Sequence, residues 1–392
     1  MGSDTELKKE AGDIVSTASG DAYLLTPGPL TTSIGVKQAM MHDLGSRDAQ
    51  FIALNRRICE QLLDIANARE SHECVPMQGS GTFAVEAMLA TLVPRQGKVL
   101  NLINGAYGHR ISEICRYLDR ECVVQESAED VPVDLEKLDS ILAEDGRITH
   151  VSVIYCETTS GILNPVKEIA EVVARHKRAL LIDAMSAFGA LPLSAKQLSF
   201  DGLAASSNKC LQGVPGLGFC LIRKSVLDES EGHAHSLSLD LYQQAQTLKK
   251  NGQWRFTPPV HCLLALAEAL KELEAEGGVA KRGERYTNNC QILKQGMREL
   301  GFQTLLPDEL QAPIIVTFHI PTHPGFIFTQ FYELLSAKGY VIYPGKITHA
   351  DTFRIGCIGD LGENEMHGAL AAIKSTLKEM GITQLKVESP KR

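Results

Sequence analysis

The sequence ALLIDAMSAFGALPLSAKQLSFDGLAASSNK, residues 179–209, contains two short apolar runs, ALLIDA (179–184) and GLAASSNK (202–209). Neither run shows the alternation of apolar and polar residues that is typical of a half-exposed strand, so both are expected to be strands buried on both faces. Three similar runs are KVLNLIN (98–104), THVSVIYCE (149–157) and GFCLIRK (218–224). These runs predict a sheet that is covered on both sides.

Segments with the helical spacing of apolar residues lie between these runs. They are Phe83–Leu92, Ile111–Leu118 and Pro165–His176. Because strands alternate with helices, the sequence predicts an α/β fold in which a large domain has a mostly parallel sheet flanked by helices.

The pattern changes after Trp254, where two long helices are predicted at Val260–Glu276 and Gly283–Leu300. They precede strand-like runs at PIIVTFHI (313–320), YVIYPG (340–345) and TFRIGCI (352–358) and helices near Phe328–Lys338 and Asn364–Met380. We therefore expect a smaller C-terminal α+β domain with a largely antiparallel sheet. The predicted organisation is a flexible leader at 1–22, a large domain at 23–270, a small domain at 271–385 and a tail at 386–392. The run Tyr23–Leu25 could join either domain.

Charge and cysteine content exclude several classes of protein. The 392 residues include 39 Lys and Arg and 47 Asp and Glu, and the resulting net charge of −8 argues against a nucleic-acid-binding surface. The ten cysteines form no Cys-x-x-Cys pair and no zinc-type spacing, so we predict no metal site and expect reduced, mostly buried thiols. No signal-peptide pattern is present, and no apolar run reaches the roughly 18 residues that span a bilayer. These features predict a cytoplasmic protein that does not bind membranes.

Two residues at the ends of the buried runs are candidates for chemistry. Asp183 ends the run ALLID, which places its carboxylate at the carboxyl edge of the sheet, where α/β proteins bind ligands. The alternative is a structural role in an Asx turn or as a helix cap. Lys209 lies between the apolar segments GLAA and CLQGVPGLGFCLI, which would lower the pKa of its amine and make it a nucleophile. The alternative is an ordinary surface lysine.

The segment QGSGTFAVEA (78–87) is a third candidate. Its small residues Ser80, Gly81 and Thr82 precede a predicted helix, and such residues leave backbone N–H groups and hydroxyls available for a phosphate. The segment lacks the Lys-Ser/Thr ending of a Walker loop and the spacing of a dinucleotide fingerprint. The alternative is a helix start with no ligand.

A lysine for an aldehyde, a carboxylate for a pyridine nitrogen and a phosphate-binding loop are together what pyridoxal 5'-phosphate requires. In these features the chain resembles the fold-type I pyridoxal phosphate enzymes of the class V aminotransferase group. The similar segments are YLLTPGPLTTS (23–33), QGSGTFAVEA (78–87), NGAYGHR (104–110), ETTSGILNP (157–165), IDAMSAFG (182–189), SSNKCLQGVPG (206–216), HSLSLDLY (235–242), WRFTPP (254–259), YPGK (343–346) and FRIGCIGD (353–360). The similarity covers about residues 23–380.

The resemblance implies a role for each matching residue. The implied cofactor-binding residues are Lys209 (covalent bond to the aldehyde), Asp183 (pyridine nitrogen), Ser80, Gly81 and Thr82 (phosphate), Tyr107 (ring stacking), Thr158 (ring hydrogen bond) and Thr257 (phosphate, from a second subunit). Lys209 and Asp183 would be the catalytic residues, Arg354 would bind the anionic group of the substrate, and Arg47 is a candidate for a second anion contact. For Arg354 the alternative is a structural ion pair, and Asp48 beside Arg47 could simply start a helix. Cys156, Cys210 and Cys357 are expected to be core residues rather than nucleophiles.

The resemblance also implies an activity. Its narrower form points to transamination between 2-aminoethylphosphonate and pyruvate, which yields phosphonoacetaldehyde and alanine, in a homodimer with a shared active site. The same residues also suit two alternatives. One is an alanine–glyoxylate or serine–pyruvate transaminase, which would use nearly the same cofactor residues. The other is a pyridoxal phosphate-binding protein without catalytic activity.

Overall fold

The computed structural model describes residues 15–345, 347 and 349–385. The predicted tail at 386–392 and residues 1–14 of the predicted leader lie outside the described residues, as does Lys346 of the YPGK segment.

The described part of the chain contains twelve helices and fourteen strands. The helices are α1 (Ile34–Ala39), α2 (Ala49–Ile65), α3 (Gly81–Leu92), α4 (Ala106–Tyr117), α5 (Leu135–Glu144), α6 (Val166–Arg175), α7 (Lys224–Asp228), α8 (Leu241–Asn251), α9 (Val260–Glu276), α10 (Gly278–Glu299), α11 (Phe328–Ala337) and α12 (Glu363–Glu379). The strands are β1 (Tyr23–Leu24), β2 (His72–Gln78), β3 (Lys98–Ile103), β4 (Glu121–Glu126), β5 (Ile148–Ile154), β6 (Cys156–Glu157), β7 (Ile162–Leu163), β8 (Ala179–Asp183), β9 (Gly202–Ser206), β10 (Leu217–Arg223), β11 (Ile315–His319), β12 (Tyr340–Val341), β13 (Tyr343–Pro344) and β14 (Thr352–Gly356).

A seven-stranded sheet with the order β2-β10-β9-β8-β5-β3-β4 forms the centre of the molecule. The pairs β9–β8, β8–β5, β5–β3 and β3–β4 are parallel, which confirms the predicted mostly parallel sheet. Strand β10 is antiparallel to both of its neighbours, so β2 runs in the same direction as β9. The carboxyl ends of β2, β3, β5, β8 and β9 therefore meet at one edge of the sheet.

Both faces of this sheet are buried, as the uninterrupted apolar runs predicted. In β8, Leu181 packs into a core with residues of α3 and α4, whereas Leu180 and Ile182 pack into a second core with residues of α2, α6 and α9. Successive side chains of a strand point to opposite faces, so each face has its own helical layer.

The C-terminal part has a separate three-stranded antiparallel sheet with the order β11-β14-β13, as predicted. Its core contains Leu25 together with residues from Cys290 to Leu385. Strand β1 pairs in parallel with β12, so the run at Tyr23 joins this part of the molecule. Helix α10 begins at Gly278, five residues before the prediction. The prediction missed this part of the helix because Arg282 is buried there, where a sequence pattern expects an apolar residue. The division of the chain at residue 270 stays a prediction.

Within the described residues, no helix is both long enough and apolar enough to cross a membrane.

Candidate active site

Two neighbouring parallel strands bring Asp183 and Lys209 together. Asp183 is the last residue of β8, where it lies opposite Ala204 of β9, and Lys209 follows the end of β9 by three residues. Both side chains line a cavity of about 460 Å³ at the carboxyl edge of the sheet. The structure thus places the two residues where the strand pattern predicted them.

The Asp183 carboxylate is buried at the end of its strand. Its Oδ1 accepts a hydrogen bond from the backbone N–H of Met185 at 2.9 Å, which is the Asx turn that the sequence left as an alternative. Burial raises the pKa of Asp183 to about 6, and the nearby Glu157 adds to this rise. A buried carboxylate with a raised pKa is stabilised in its charged form when a cation lies beside it.

The Lys209 amine is also withdrawn from solvent. Burial lowers the pKa of Lys209, and the positive charge of Arg354 lowers it further. Gly28 of the TPGP segment packs directly against this side chain. A Cβ atom at Gly28 would lie 2.6 Å from Lys209 Cδ and 2.9 Å from Nζ, so only glycine allows this close approach. The TPGP segment therefore covers a buried lysine whose pKa is lowered.

Ser80, Gly81 and Thr82 line the same cavity at the start of α3. Ser80 is the N-cap residue of α3, yet its side chain makes no capping hydrogen bond. A Cβ atom at Gly81 would lie 2.5 Å from the sulfur of Met185. The first N–H groups of a helix have no partner within the helix, so this end of the cavity offers donors to an anion.

Tyr107 and Thr158 approach the site from β3 and β6. Tyr107 lies in the first turn of α4, is half-buried and lines the cavity. Thr158 is buried, and its backbone carbonyl accepts a hydrogen bond from Arg354 Nη1 at 2.8 Å. The Thr158 side chain does not line the cavity in this structure, and its ring hydrogen bond stays a prediction.

Arg354 is a buried cation in the central strand of the small sheet. Besides the bond to Thr158, its Nε donates to the carbonyl of Pro344 at 3.1 Å. No carboxylate among the described residues lies within ion-pair distance of Arg354, so the structural ion pair considered as an alternative is not seen there. A guanidinium with five donors and two carbonyl partners retains donors for an anionic ligand.

Thr257 and Arg47 lie away from the cavity of their own chain. Thr257 is exposed and lines an adjacent cavity with Gly79, Phe83 and Phe256. Arg47 is exposed two residues before the start of α2. The roles of these two residues stay predictions, as do the roles of the residues that line the cavity.

Two residues of the site were not predicted from the sequence. Glu157 is fully buried at the end of β6 and accepts hydrogen bonds from the backbone N–H groups of Tyr107 and Gly108 in α4 and of Thr159. Arg110 in α4 lines the cavity and donates to Thr82. Glu157 lies in the segment ETTSG and Arg110 in the segment NGAYGHR, but the sequence of neither segment indicates what these side chains contact.

The cysteines near the site have the character of core residues. Burial raises the pKa of Cys210 to about 12 and that of Cys156 well above its ordinary value. Cys357 is fully buried in the C-terminal core. All ten cysteines are free thiols, and a protonated buried thiol is a poor nucleophile.

The residues around the cavity fit pyridoxal 5'-phosphate. A buried amine with a lowered pKa suits its aldehyde, a buried carboxylate suits its pyridinium nitrogen, and the start of α3 suits its phosphate. The observation that best supports this fit is the N-cap residue Ser80, because its side chain makes no capping hydrogen bond at the start of α3, where an anion would lie.

Comparison with known proteins identifies the family. Residues 31–346 match the aminotransferase class-V family. The 2-aminoethylphosphonate–pyruvate transaminase of Pseudomonas putida is 54% identical over 367 residues, which are 94% of this chain and 100% of that protein. The protein with the same name from Pseudomonas aeruginosa is 51% identical over 371 residues, which are 95% of this chain and 100% of that protein.

Solved structures show the same fold at low sequence identity. The alanine–glyoxylate aminotransferase of a Nostoc species has a TM-score of 0.85 at 22% identity, with 96% of this chain and 99% of that chain covered. The ureidoglycine–glyoxylate aminotransferase of Bacillus subtilis has a TM-score of 0.85 at 20% identity, with 95% and 96% covered. The fold predicted from the strand runs is thereby confirmed, and the chain belongs to the class-V aminotransferase family.

Proposed function

We propose that this chain uses pyridoxal 5'-phosphate to transfer the amino group of 2-aminoethylphosphonate to pyruvate. The products are phosphonoacetaldehyde and L-alanine. The names of relatives that are 51–54% identical over nearly the whole chain support this substrate pair. The cavity residues support the cofactor.

The observation that favours an anionic substrate most directly is that Arg354 is buried and has no carboxylate partner among the described residues. Burial of a guanidinium without a carboxylate partner is costly, and an enclosed cation of this kind is stabilised when an anion binds. A phosphonate and a carboxylate both present oxygens to a planar, forked donor. One arginine can therefore serve the amino donor and the amino acceptor in turn.

Asp183 and Lys209 would have different roles in transamination. Bound pyridoxal phosphate supplies an electron-accepting ring for the carbon that loses its proton. Asp183 holds the ring nitrogen in its protonated form through its negative charge. The donor's amino group would replace Lys209 at the aldehyde, and the Lys209 Nζ released in this way would remove the proton from the carbon that bears the donor's nitrogen and return it later in the reaction. The lowered pKa of Lys209 favours the neutral amine that this role requires.

The exposed position of Thr257 supports a homodimer in which each chain completes the partner's phosphate site. Phe83 and Phe256, each 50% exposed, line the cavity that contains Thr257, and two half-exposed aromatic side chains there are consistent with a covered surface. Sedimentation of the holoprotein tests the dimer, and a fully active monomer would contradict it. The free thiols of all ten cysteines support a cytoplasmic location.

A panel of amino donors tests the substrate assignment. The purified holoprotein is mixed in single-turnover experiments with 2-aminoethylphosphonate, alanine or serine, and the loss of its visible absorbance is followed. We expect the phosphonate to react fastest. If alanine or serine reacts at least as fast, the chain is a transaminase of the alanine–glyoxylate or serine–pyruvate type. If no amine changes the spectrum of a protein that contains the cofactor, the chain is a non-catalytic binding protein.

A further inference from the structure

Arg110 lines the cavity, and its positive charge has no role in the proposed function described above. It lies in α4, one turn after Tyr107, and its guanidinium carbon is 4.9 Å from the centre of the Tyr107 ring. Its Nη1 donates a hydrogen bond to the hydroxyl of Thr82 at 3.2 Å. The two contacts hold the guanidinium beside the start of α3.

The charge of Arg110 acts on the carboxylate of Asp183, which lines the same cavity, from beyond ion-pair distance. No carboxylate in the described ranges lies within ion-pair distance of Arg110. Among the described residues that line the cavity, Asp183 is the only carboxylate, and Lys209 and Arg110 are the only lysine and arginine. Because Lys209 is assigned to the aldehyde, Arg110 is the cation that remains for a phosphate.

We propose that Arg110 binds the phosphate group of pyridoxal 5'-phosphate, directly and through Thr82. The inference rests on the cofactor assignment made under the proposed function. It adds a permanent positive charge to a phosphate site that otherwise consists of hydroxyls and backbone N–H groups. It also assigns Arg110 to the cofactor rather than to the phosphonate of the substrate.

The hydrogen bond to Thr82 supports this choice. A hydroxyl has one proton to donate and two lone pairs to accept with. Because the Thr82 oxygen accepts from Arg110, its own proton is directed away from the guanidinium and is available to an anion at the start of α3. The remaining N–H groups of Arg110 can donate to the same anion, since a guanidinium has five of them.

The test compares two forms of the cofactor that differ only in the phosphate. Apoprotein is titrated with pyridoxal 5'-phosphate and, separately, with pyridoxal, for the natural sequence and for Arg110→Gln and Arg110→Lys. Both ligands have the aldehyde that reacts with Lys209, so this reaction cancels in the ratio of the two affinities. Arg116→Gln is the matched control, because Arg116 lies on the same helix with its guanidinium 4.6 Å from the Tyr117 ring but is exposed and does not line the cavity.

We expect Arg110→Gln to weaken the binding of pyridoxal 5'-phosphate by roughly ten- to a hundredfold, the range for a charge-assisted hydrogen bond. The affinity for pyridoxal should change by no more than about twofold, as should both affinities in Arg116→Gln. The affinity of Arg110→Lys for pyridoxal 5'-phosphate should lie between those of the natural protein and Arg110→Gln, because lysine keeps the positive charge but lacks the planar, two-pronged donor group of arginine. An unchanged affinity for pyridoxal also shows that the variant has folded.

Three results would overturn the role of Arg110. Equal weakening of both ligands would show that Arg110 only supports the shape of the cavity. Unchanged binding of both ligands together with a raised KM for 2-aminoethylphosphonate would make Arg110 a substrate contact. A natural-sequence protein that binds pyridoxal 5'-phosphate no more tightly than pyridoxal would overturn both this role and the phosphate site. If the expected affinities are found but 2-aminoethylphosphonate does not react, the role of Arg110 stands and only the proposed substrate fails.

Discussion

The carboxylate of Glu157 accepts a hydrogen bond from the backbone N–H of Tyr107, with 3.1 Å between Oε2 and the nitrogen. The same oxygen accepts from the N–H of Gly108 at 3.3 Å, and Oε1 accepts from the N–H and the hydroxyl of Thr159. Gly105 makes room for the carboxylate, since a Cβ atom there would lie 2.4 Å from Glu157 Cγ. A buried acid thus fixes the first turn of α4, from which the Tyr107 side chain enters the cavity.

Replacement of Glu157 by Gln should destabilise the protein. The glutamine amide has one accepting oxygen instead of two. Depending on which way the amide is turned, either the N–H groups of Tyr107 and Gly108 or the N–H and hydroxyl of Thr159 lose their acceptor. A buried donor without an acceptor costs about 1–3 kcal/mol, and we expect the free energy of unfolding of the apoprotein to fall by about 2 kcal/mol. Guanidinium-induced unfolding measures this change.

Glu113→Gln is the matched control for this prediction. Glu113 lies on α4, is 61% exposed and makes only a 3.8 Å ion pair with Arg116, so its replacement should change the free energy of unfolding by less than about 0.5 kcal/mol. Burial raises the pKa of Glu157. A Glu157→Gln protein as stable as the natural one would therefore mean that the buried charge costs as much as its hydrogen bonds contribute.

Asp183→Asn should increase the stability of the apoprotein while it abolishes efficient turnover. The pKa of Asp183 rises from 3.8 to about 6 on folding, so the folded state binds more protons between these two values and stability falls as the pH rises through this window. The full penalty of about 3 kcal/mol applies above about pH 6 and disappears below about pH 4. Asparagine removes the charge and the penalty with it.

Thermal unfolding of the two apoproteins at several pH values measures this difference. The melting temperature of Asp183→Asn should exceed that of the natural sequence at neutral pH, and the difference should shrink as the pH falls towards 4. Asp228→Asn, at an exposed position, should show no such dependence. Normal turnover by Asp183→Asn would show that Asp183 only forms its turn with Met185.

Lys209→Ala should bind the cofactor without a covalent bond and should lose turnover. Borohydride reduction of the natural holoprotein, followed by digestion, should attach the cofactor to the peptide that contains Lys209, and the variant should yield no labelled peptide. Lys250→Ala, at an exposed residue in the last turn of α8, should be labelled and active like the natural protein. Label on any other lysine of the natural protein would move the aldehyde site.

The sequence predicted the strand that ends at Asp183 and the strand that precedes Lys209 because both strands are buried on both faces. An uninterrupted apolar run is a local signal, and it needs no knowledge of which strand lies beside it. The direction of β10 could not be predicted in this way, because its apolar run suits a parallel and an antiparallel neighbour equally. Strand β2 was not predicted because Pro76 interrupts its pattern, and the structure places this strand at the edge of the sheet, where proline is tolerated.

The site also contains residues that a local motif predicted and residues that the sequence did not indicate. Ser80, Gly81 and Thr82 form a continuous motif at a helix start, and the structure places all three in one cavity with Asp183 and Lys209. Glu157 and Arg110 act through partners that are 50 and 28 residues away in the chain, at Tyr107 and Thr82. A single sequence contains no local sign of such contacts, so only the folded chain shows them.

Arg354→Lys should impair both half-reactions because both substrates are anions. Lysine keeps the positive charge but has a single ammonium group, which cannot reach the carbonyls of Thr158 and Pro344 and also offer a fork to the substrate. We expect the rate of the first half-reaction, with 2-aminoethylphosphonate, and that of the second, with pyruvate, each to fall by at least about tenfold at subsaturating substrate. Arg298→Lys, at a surface ion pair with Asp308, should leave both rates unchanged.

Arg47→Ala should separate the two half-reactions. A phosphonate has up to two negative charges and three oxygens, so it gains more from a second cation than a carboxylate with one charge and two oxygens does. If Arg47 is that cation, its loss should weaken the reaction of 2-aminoethylphosphonate roughly tenfold and leave the pyruvate reaction within about twofold of its natural rate. Arg47 lies outside the cavity of its own chain, so such an effect would also require that it reach the cavity of a partner chain or move on substrate binding. If Arg47→Ala carries out each half-reaction as fast as the natural protein does, Arg47 does not contact the phosphonate.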